Sequence, residues 1–167
     1  MEKVIIIGCP GGGKSTFARR LQQLTGLPLH HLDTIWHKPD RTTVTREEFD
    51  RRLDELLAGR YWIVDGNYQR TIERRLAACD TVFLLNYPTQ VCLAGAAARV
   101  GQAHDDLPWV EESLDPEFRQ WIETFAQTQL PQIYALLEHY RAGRQIMIFH
   151  SRDEADAWLR LYEQKQL

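Results

Sequence analysis

The feature that most constrains this chain is a glycine-rich stretch near its N-terminus, GCPGGGKS, directly after the apolar run VIII. It fits the pattern G-x-x-x-x-G-K-[ST], in which glycines let the backbone turn tightly and aim successive N–H groups inward. Apolar residues at helical spacing follow (Phe17, Leu21, Leu24), so the loop should open a helix whose N-terminus also favours an anion. We therefore expect a strand–loop–helix unit that binds a nucleoside triphosphate.

The same pattern predicts a role for each polar member of the loop. Lys14 is expected to reach the terminal phosphates, Ser15 to ligate Mg²⁺, and Thr16 to lie near the α-phosphate. For Cys9, a small side chain beside the loop is favoured over a redox-sensitive thiol at a helix N-terminus. The predicted nucleotide-binding residues are Gly8, Cys9, Pro10, Gly11, Gly12, Gly13, Lys14, Ser15 and Thr16.

Short apolar runs recur along the chain without apolar–polar alternation, which is typical of strands covered on both faces. The clear runs span residues 4–7, 61–64, 81–85 and 146–149, and a weaker one spans 27–32. Helical periodicity fills the intervals, with N-caps predicted at Thr45 and Asp115 and a kink or restart of the helix at Pro131. This alternation predicts one α/β domain over residues 1–167 with a parallel sheet flanked by helices.

The composition narrows the function classes. Twenty basic and 23 acidic residues give a net charge of −3, so direct nucleic-acid binding, which usually shows a basic excess, is not expected. The three cysteines lack metal-ligand spacing and favour free thiols in a reducing cytosol. No run has the length of a secretory signal or a membrane span. We therefore expect a cytoplasmic protein without membrane contact; the oligomeric state stays open.

A second acidic group for the metal is expected at the end of a strand beside the phosphate loop. Asp65 follows the apolar run in YWIVDGNY, and Gly66 lets the chain turn away; a solvated strand-end turn is the alternative. A GTPase would carry an Asn-Lys-x-Asp motif, which this sequence lacks, and motor or transporter ATPases are usually larger. The short chain with an N-terminal loop therefore favours a small-molecule kinase using ATP and Mg²⁺.

Six segments of the chain resemble, in order, the bacterial family labelled DNA topology modulation proteins, which are adenylate-kinase-like P-loop proteins. They are IIIGCPGGGKST, LPLHHLDTIW, REEF, WIVDGNYQRTIERRL, TVFLLNYPTQVCL and DPEFRQWI. The resemblance spans nearly the whole chain, and HLD followed by DGNY is its most particular feature. It implies a P-loop NTPase fold with an adenylate-kinase-like five-stranded parallel sheet, an acceptor-binding segment after the first helix, and a lid late in the chain. The family name records an association with DNA supercoiling and establishes no reaction.

By position, the resemblance also implies acceptor-binding residues. Asp33 in HLD would face the acceptor and bind its hydroxyl or accept its proton, with a helix-capping aspartate as the alternative. Asn67 and Arg75 in DGNYQRTIERRL would contact the acceptor. For Arg75, as for its neighbours Arg70 and Arg74, the alternative is a solvated helix face.

The lid-like segment, roughly residues 100–114, departs from the arginine-rich lids of such relatives. Arg99 is the one arginine beside it, and five acidic residues lie in or next to it: Asp105, Asp106, Glu111, Glu112 and Asp115. An acidic lid is expected to repel a polyphosphate. The charge that phosphoryl transfer needs is then expected from Arg41, Arg70 or Arg99.

Two hypotheses follow. The leading one is an ATP-dependent phosphotransferase with a nucleoside or nucleotide acceptor. Its catalytic residues would be Lys14, Asp33, Arg70 and Arg99, its acceptor contacts Asp33, Arg41, Asn67 and Arg75, and its metal-side residues Ser15 and Asp65. The alternative is a nucleotide-binding regulatory protein with little turnover, whose lid is degraded or contacts a partner.

Overall fold

The computed structural model describes residues 1–165 and has a parallel β-sheet at its centre. The strands are β1 (Lys3–Gly8), β2 (Leu29–His31), β3 (Trp62–Asp65), β4 (Thr81–Leu85) and β5 (Gln145–Phe149). Their order across the sheet is β2-β3-β1-β4-β5, with every neighbouring pair parallel. The five-stranded parallel sheet is therefore confirmed, including the weaker run at 27–32.

The burial of the strands explains the absence of alternation in the sequence. Every residue of β3 and β4 is buried, and β1 is buried from Val4 onward. Strands covered by helices on both faces need apolar side chains at successive positions. In an open parallel sheet, ligands bind beyond the carboxyl ends of the strands, and this is the edge where β1, β2 and β3 deliver Gly8, His31 and Asp65.

Eight helices surround the sheet within the described residues. They are α1 (Lys14–Thr25), α2 (Leu32–Trp36), α3 (Arg46–Leu57), α4 (Gln69–Ala78), α5 (Thr89–Arg99), α6 (Pro116–Thr128), α7 (Leu130–His139) and α8 (Arg152–Gln164). None of these helices has the length and apolarity needed to cross a bilayer.

The predicted helix starts are confirmed. The Thr45 hydroxyl accepts the N–H of Glu48 at 3.2 Å and so caps α3, although the Glu48 carboxylate binds arginines of its own helix rather than completing a capping box. Asp115 caps α6 by accepting the N–H groups of the second and third residues after it, at 2.8 and 3.0 Å. The chain breaks between α6 and α7 just before Pro131.

The lid-like segment, residues 100–114, joins α5 to α6 without a helix or strand of its own. Most of it is exposed or half-buried, but Asp106 is 3% exposed. A buried carboxylate inside an otherwise polar loop needs partners, and these lie in the candidate site.

Candidate active site

A cavity of about 830 Å³ opens at the carboxyl edge of the sheet. The phosphate loop forms its floor from Pro10 to Thr16, and Asp33 and Asp65 line it from the ends of β2 and β3. Arg99 and Asp106 line it from the side of the lid. The fold thus brings together many of the residues predicted from the sequence, although they are separated by up to about ninety positions in the chain.

The phosphate loop has the backbone geometry that its glycines suggested. Gly11 and Gly13 adopt φ values of 78° and 88°, in the left-handed region that favours glycine. A Cβ on Gly11 would lie 2.1 Å from the carbonyl oxygen of Cys92, and a Cβ on Gly95 would lie 2.1 Å from the carbonyl oxygen of Gly11. Helix α5 therefore packs directly against the loop, and Gly95 is a residue that sequence reasoning missed. The available signal was an isolated glycine inside a helical pattern.

Lys14 lies over the loop from which it projects. Its Nζ donates to the carbonyl oxygens of Gly8 and Cys9 at 3.0 and 3.1 Å. Burial lowers the pKa of Lys14, and the carboxylates of Asp65 and Asp33 oppose that change. The amine is thus held at the loop with two acidic groups near it.

Asp65 is buried, and only one of its carboxylate oxygens is hydrogen-bonded within the described residues. His31 Nδ1 donates to Asp65 Oδ1 at 2.9 Å, whereas Asp65 Oδ2 has no hydrogen-bond partner there. Burial lowers the pKa of His31, but the hydrogen bond and charge of Asp65 outweigh it, so that the pKa is raised. His31 had no role assigned from the sequence; it holds one oxygen of a carboxylate that lines the cavity.

Asp33 lies in the first turn of α2, whose N-cap residue is His31, so the carboxylate does not cap this helix. The Tyr68 hydroxyl donates to Asp33 Oδ1 at 2.7 Å. Burial raises the pKa of Asp33 above the ordinary carboxyl value, while the Tyr68 hydrogen bond and Lys14 act in the opposite direction. Tyr68, also missed from the sequence, holds a left-handed backbone (φ 39°) and stacks on Phe49 with ring centres 5.1 Å apart.

The structure corrects the predicted acceptor role of Arg75. Its side chain is fully buried, and burial lowers its pKa to about 9. The guanidinium donates to the carbonyl oxygens of Gly66, at 2.8 Å, and Asn67, so it is neither an acceptor contact nor part of a solvated face. The Arg75 side chain therefore stabilises the turn that follows β3.

Asn67 lines the cavity, but its side chain is engaged with the phosphate loop. Its Oδ1 accepts the N–H of Gly8 at 3.1 Å, which ties the turn after β3 to the start of the loop. The oxygen of Asn67 thus has a positioning contact with the loop, and an acceptor contact of this residue stays a prediction.

Arg41 and Arg70 do not reach the main cavity, which corrects their predicted roles. Arg70 forms two hydrogen bonds with Asp50 of α3, at 2.9 and 2.6 Å, on the exposed outer face. Arg41 is exposed and lies 3.7 Å from Glu112. The sequence offered these arginines as sources of charge, but it could not show that each has an acidic partner on the surface.

The lid places a carboxylate directly on the phosphate loop. Asp106 Oδ2 accepts from Ser15 Oγ at 2.8 Å and from Arg99 Nη1 at 3.0 Å, and Arg99 also lies 3.7 Å from Glu111. Burial raises the pKa of Asp106, but the charge and hydrogen bonds of Arg99 outweigh it and the pKa is lowered. Arg99 thus lies beside the lid and lines the cavity, but its charge is already paired with that of Asp106.

Comparisons with known proteins find kinases that are similar to this chain in sequence or in fold. No family model matches the chain. The adenylate kinases of Thermotoga petrophila and Thermotoga neapolitana are 31% and 30% identical over 97 residues, which are 56% of this chain. The matched part is 43% of each of those proteins, so the chain aligns with less than half the length of these curated relatives.

Two solved structures match nearly the whole chain. A shikimate kinase from Acinetobacter baumannii in complex with shikimate has a TM-score of 0.53 at 19% identity, covering 100% of this chain and 96% of that one. A shikimate kinase from Bacteroides thetaiotaomicron has a TM-score of 0.54 at 17% identity, covering 98% of both. The narrower resemblance to DNA topology modulation proteins is not confirmed by these matches. The chain has the P-loop kinase fold, a parallel sheet flanked by helices with the phosphate loop after its first strand.

Proposed function

We propose that this chain is an ATP-dependent phosphotransferase acting on a small acceptor. One observation carries the proposal: the phosphate loop and the carboxylate of Asp33, one oxygen of which accepts from Tyr68, line the same cavity. Phosphoryl transfer needs a nucleotide site and an acceptor site that share one enclosed space, with a base within reach of the acceptor hydroxyl.

The nucleotide would bind along Gly8–Thr16, with Lys14 exchanging its carbonyl partners for phosphate oxygens. Ser15 Oγ and the buried Asp65 Oδ2, which has no hydrogen-bond partner within residues 1–165, fit Mg²⁺, which takes oxygen ligands and usually binds one or two carboxylates together with substrate phosphates. That ion would neutralise charge on the phosphates. The free cysteines, all three buried, fit the cytoplasmic location that we also propose.

Asp33 would act as the base for the acceptor hydroxyl. The Tyr68 hydroxyl holds one oxygen in place, and burial raises the pKa of the Asp33 carboxyl although that hydrogen bond opposes the change, so its basicity lies closer to neutral pH. Asp33 would then accept the proton on the side of the cavity that follows β2 and β3, away from the ends of β4 and β5.

The experiment that tests this function measures ADP release from Mg-ATP across a panel of hydroxyl-bearing acceptors. The Lys14→Ala variant serves as the blank. Release that depends on an acceptor and occurs with the wild-type protein alone supports the proposal. Release no higher than the blank with every acceptor, despite ATP binding, contradicts it.

A second candidate function is a nucleotide-dependent regulatory protein with little turnover. The contact among Ser15, Asp106 and Arg99 favours it, because the lid arginine is already neutralised and a carboxylate lies on the loop. ATP binding that changes the exposure of the lid, without release of ADP under any condition, would support this candidate over the first.

A further inference from the structure

The cavity has two chemically different ends on either side of the phosphate loop. In the order β2-β3-β1-β4-β5, the loop follows the central strand, so residues after β2 and β3 lie on one side of it and residues after β4 and β5 on the other. We call the first side the acceptor end and define it by Asp33, Trp36, His37, Tyr68, Gln69 and Trp109. Trp109 comes from the lid and joins this end through its ring contact with His37, at 5.0 Å between centres.

The acceptor end contains no lysine or arginine among the six residues that define it. The arginines nearest in sequence are used elsewhere: Arg75 binds backbone carbonyls, Arg70 binds Asp50, and Arg41 lies beside Glu112. Its carboxylate is Asp33, and Asp65 is close enough to raise the pKa of Asp33 further. An anionic group on the acceptor would be desolvated next to this negative charge, and the lysine whose charge acts on Asp33, Lys14, is the one that would bind the transferred phosphate.

The cations of the cavity lie along the phosphate loop, on its other side or in ion pairs. Lys14 lies over the loop, and Arg19 of α1 contacts it through Nη2, 3.5 Å from Thr16 Oγ1, with its Nη1 buried and without a partner within residues 1–165. Arg20 of α1 pairs with Asp156 of α8, and Arg152 begins α8 and approaches α5 so closely that it would touch a Cβ on Gly95. Arg99 binds Asp106. These charges suit the nucleotide that is already bound along the loop, not a second anion beside Asp33.

Aromatic rings and uncharged polar atoms line the acceptor end. Trp36 meets Tyr68 edge-on with ring centres 6.4 Å apart, and Trp109 meets His37 in the same manner. Such walls favour a flat ring, because bases stack on aromatic side chains. His37 Nδ1, Gln69 Oε1 and the Oε1 of nearby Gln129 are buried without a partner within the described residues. Buried polar atoms of this kind are normally hydrogen-bonded, so they suit the edge of a polar ring.

We infer that the acceptor is an uncharged nucleoside, not a nucleoside monophosphate or another acid. This inference rests on the proposed function and assigns its substrate class. Asp33 takes the proton of a ribose hydroxyl, and that oxygen forms a bond to the γ-phosphorus. The bond between that phosphorus and the β–γ bridging oxygen breaks with its electron pair leaving on ADP. The products are ADP and a nucleoside monophosphate, with the proton on Asp33.

Binding titrations with matched pairs test the inference: each common nucleoside against its own 5′-monophosphate, with shikimate as an acidic control. The titrations are run with Mg-AMP-PNP bound, so that the position of the transferred phosphate is filled and a monophosphate cannot bind as a product. We expect at least one nucleoside to bind tenfold or more tightly than its monophosphate, and the same nucleoside to raise ADP release from Mg-ATP. Tighter binding of a monophosphate or of shikimate, or no binding of any nucleoside, overturns the inference.

The Gln69→Ala variant tests the recognition of the ring. It should weaken nucleoside binding about tenfold and leave Mg-AMP-PNP binding unchanged, because a site built to hydrogen-bond a group loses discrimination when that partner is removed. Gln132→Ala is the matched control, since Gln132 is exposed on α7, where its amide donates to the carbonyl oxygen of Thr128 at 3.2 Å and its Oε1 accepts a 3.4 Å contact from the amide of Gln69. Equal effects of the two substitutions contradict the assignment.

The outcomes separate this inference from the function on which it rests. If Mg-AMP-PNP binds wild type and Lys14→Ala equally well, the proposed function fails. If it binds only wild type but monophosphates are the better acceptors, the phosphotransferase remains and the inference alone is overturned.

Discussion

Ser15 Oγ and Asp106 Oδ2 are 2.8 Å apart, so the hydroxyl proposed to hold the metal donates to a carboxylate of the lid. The two residues are 91 positions apart in the chain. Arg99 binds the same carboxylate and compensates for its charge in a buried environment. The lid is thus anchored on the phosphate loop by an acidic residue, in the place where a nucleotide and its metal would meet the protein.

Replacing this carboxylate should change the selectivity between metal-free and metal-bound nucleotide. Asp106→Asn is expected to raise the affinity for Mg-free ATP about tenfold and that for Mg-ATP much less, because the metal already offsets the repulsion. Calorimetric titrations with EDTA and with excess Mg²⁺ measure both values. The control is Asp105→Asn, which removes a charge from the exposed neighbouring position. Equal gains for both nucleotide forms contradict this account of the lid.

Lys14→Ala should weaken ATP binding about tenfold to a hundredfold, since each charge-assisted hydrogen bond contributes roughly 1.5–3 kcal/mol. Lys38→Ala removes an equal charge from an exposed position and should leave the affinity unchanged. Circular dichroism checks that both variants fold. An unaltered ATP affinity of the Lys14 variant would remove the basis for assigning the loop to nucleotide phosphates.

Asp33→Asn should lower the rate of transfer by about 10²–10⁴, the usual contribution of a general base, without weakening ATP binding. Initial rates and the ATP dissociation constant, measured on the same preparation, test this separation. Tyr68→Phe is the milder companion: it removes the hydrogen bond that lowers the pKa of Asp33, so the acidic limb of the pH–rate profile should move to higher pH. A full-rate Asp33→Asn variant would contradict the role as a base.

Asp33→Asn should also change the thermal stability of the fold, and the size of the change should depend on pH. Because burial raises the pKa of Asp33 in the folded state, its ionised form makes folding less favourable at neutral pH. Asp33→Asn should therefore raise the midpoint of thermal unfolding at pH 7. The gain should disappear as the pH falls through the raised folded value and below the unfolded one, where wild-type Asp33 is protonated in both states. A gain that persists at low pH would show a different origin.

Arg75 and Arg70 provide a matched test of buried against exposed arginine on the same helix. Arg75→Ala should lower the free energy of unfolding by about 3 kcal/mol or more, because several buried carbonyls lose their donors. Arg70→Ala breaks an exposed pair with Asp50 and should cost less than about 1 kcal/mol. Urea denaturation measures both. Similar losses for the two variants would contradict the supporting role given to Arg75.

The sequence predicted the local units well because their signals are local. Buried parallel strands appear as unbroken apolar runs, and Thr45, Asp115 and Pro131 act within one helical turn of themselves. The loop from Gly8 to Thr16 is likewise defined by consecutive residues.

The arginines were harder to assign because their partners lie far away in the chain. The sequence does not show that Arg75 is buried. It also does not show that Arg70 pairs with Asp50, which lies in another helix. Asp106 reaches Ser15 across the lid, and Gly95 matters only because α5 touches the loop. Such long-range contacts leave no periodic signal in one sequence.

The most direct measurement of the central claim is acceptor-dependent ADP release from Mg-ATP by wild type, Lys14→Ala and Asp33→Asn side by side, with mass-spectrometric detection of the phosphorylated acceptor. The account predicts a phosphorylated product and matching ADP from wild type, none from the Lys14 variant, and a rate reduced at least a hundredfold from the Asp33 variant. ATP binding by wild type with no phosphorylated product from any acceptor would contradict it.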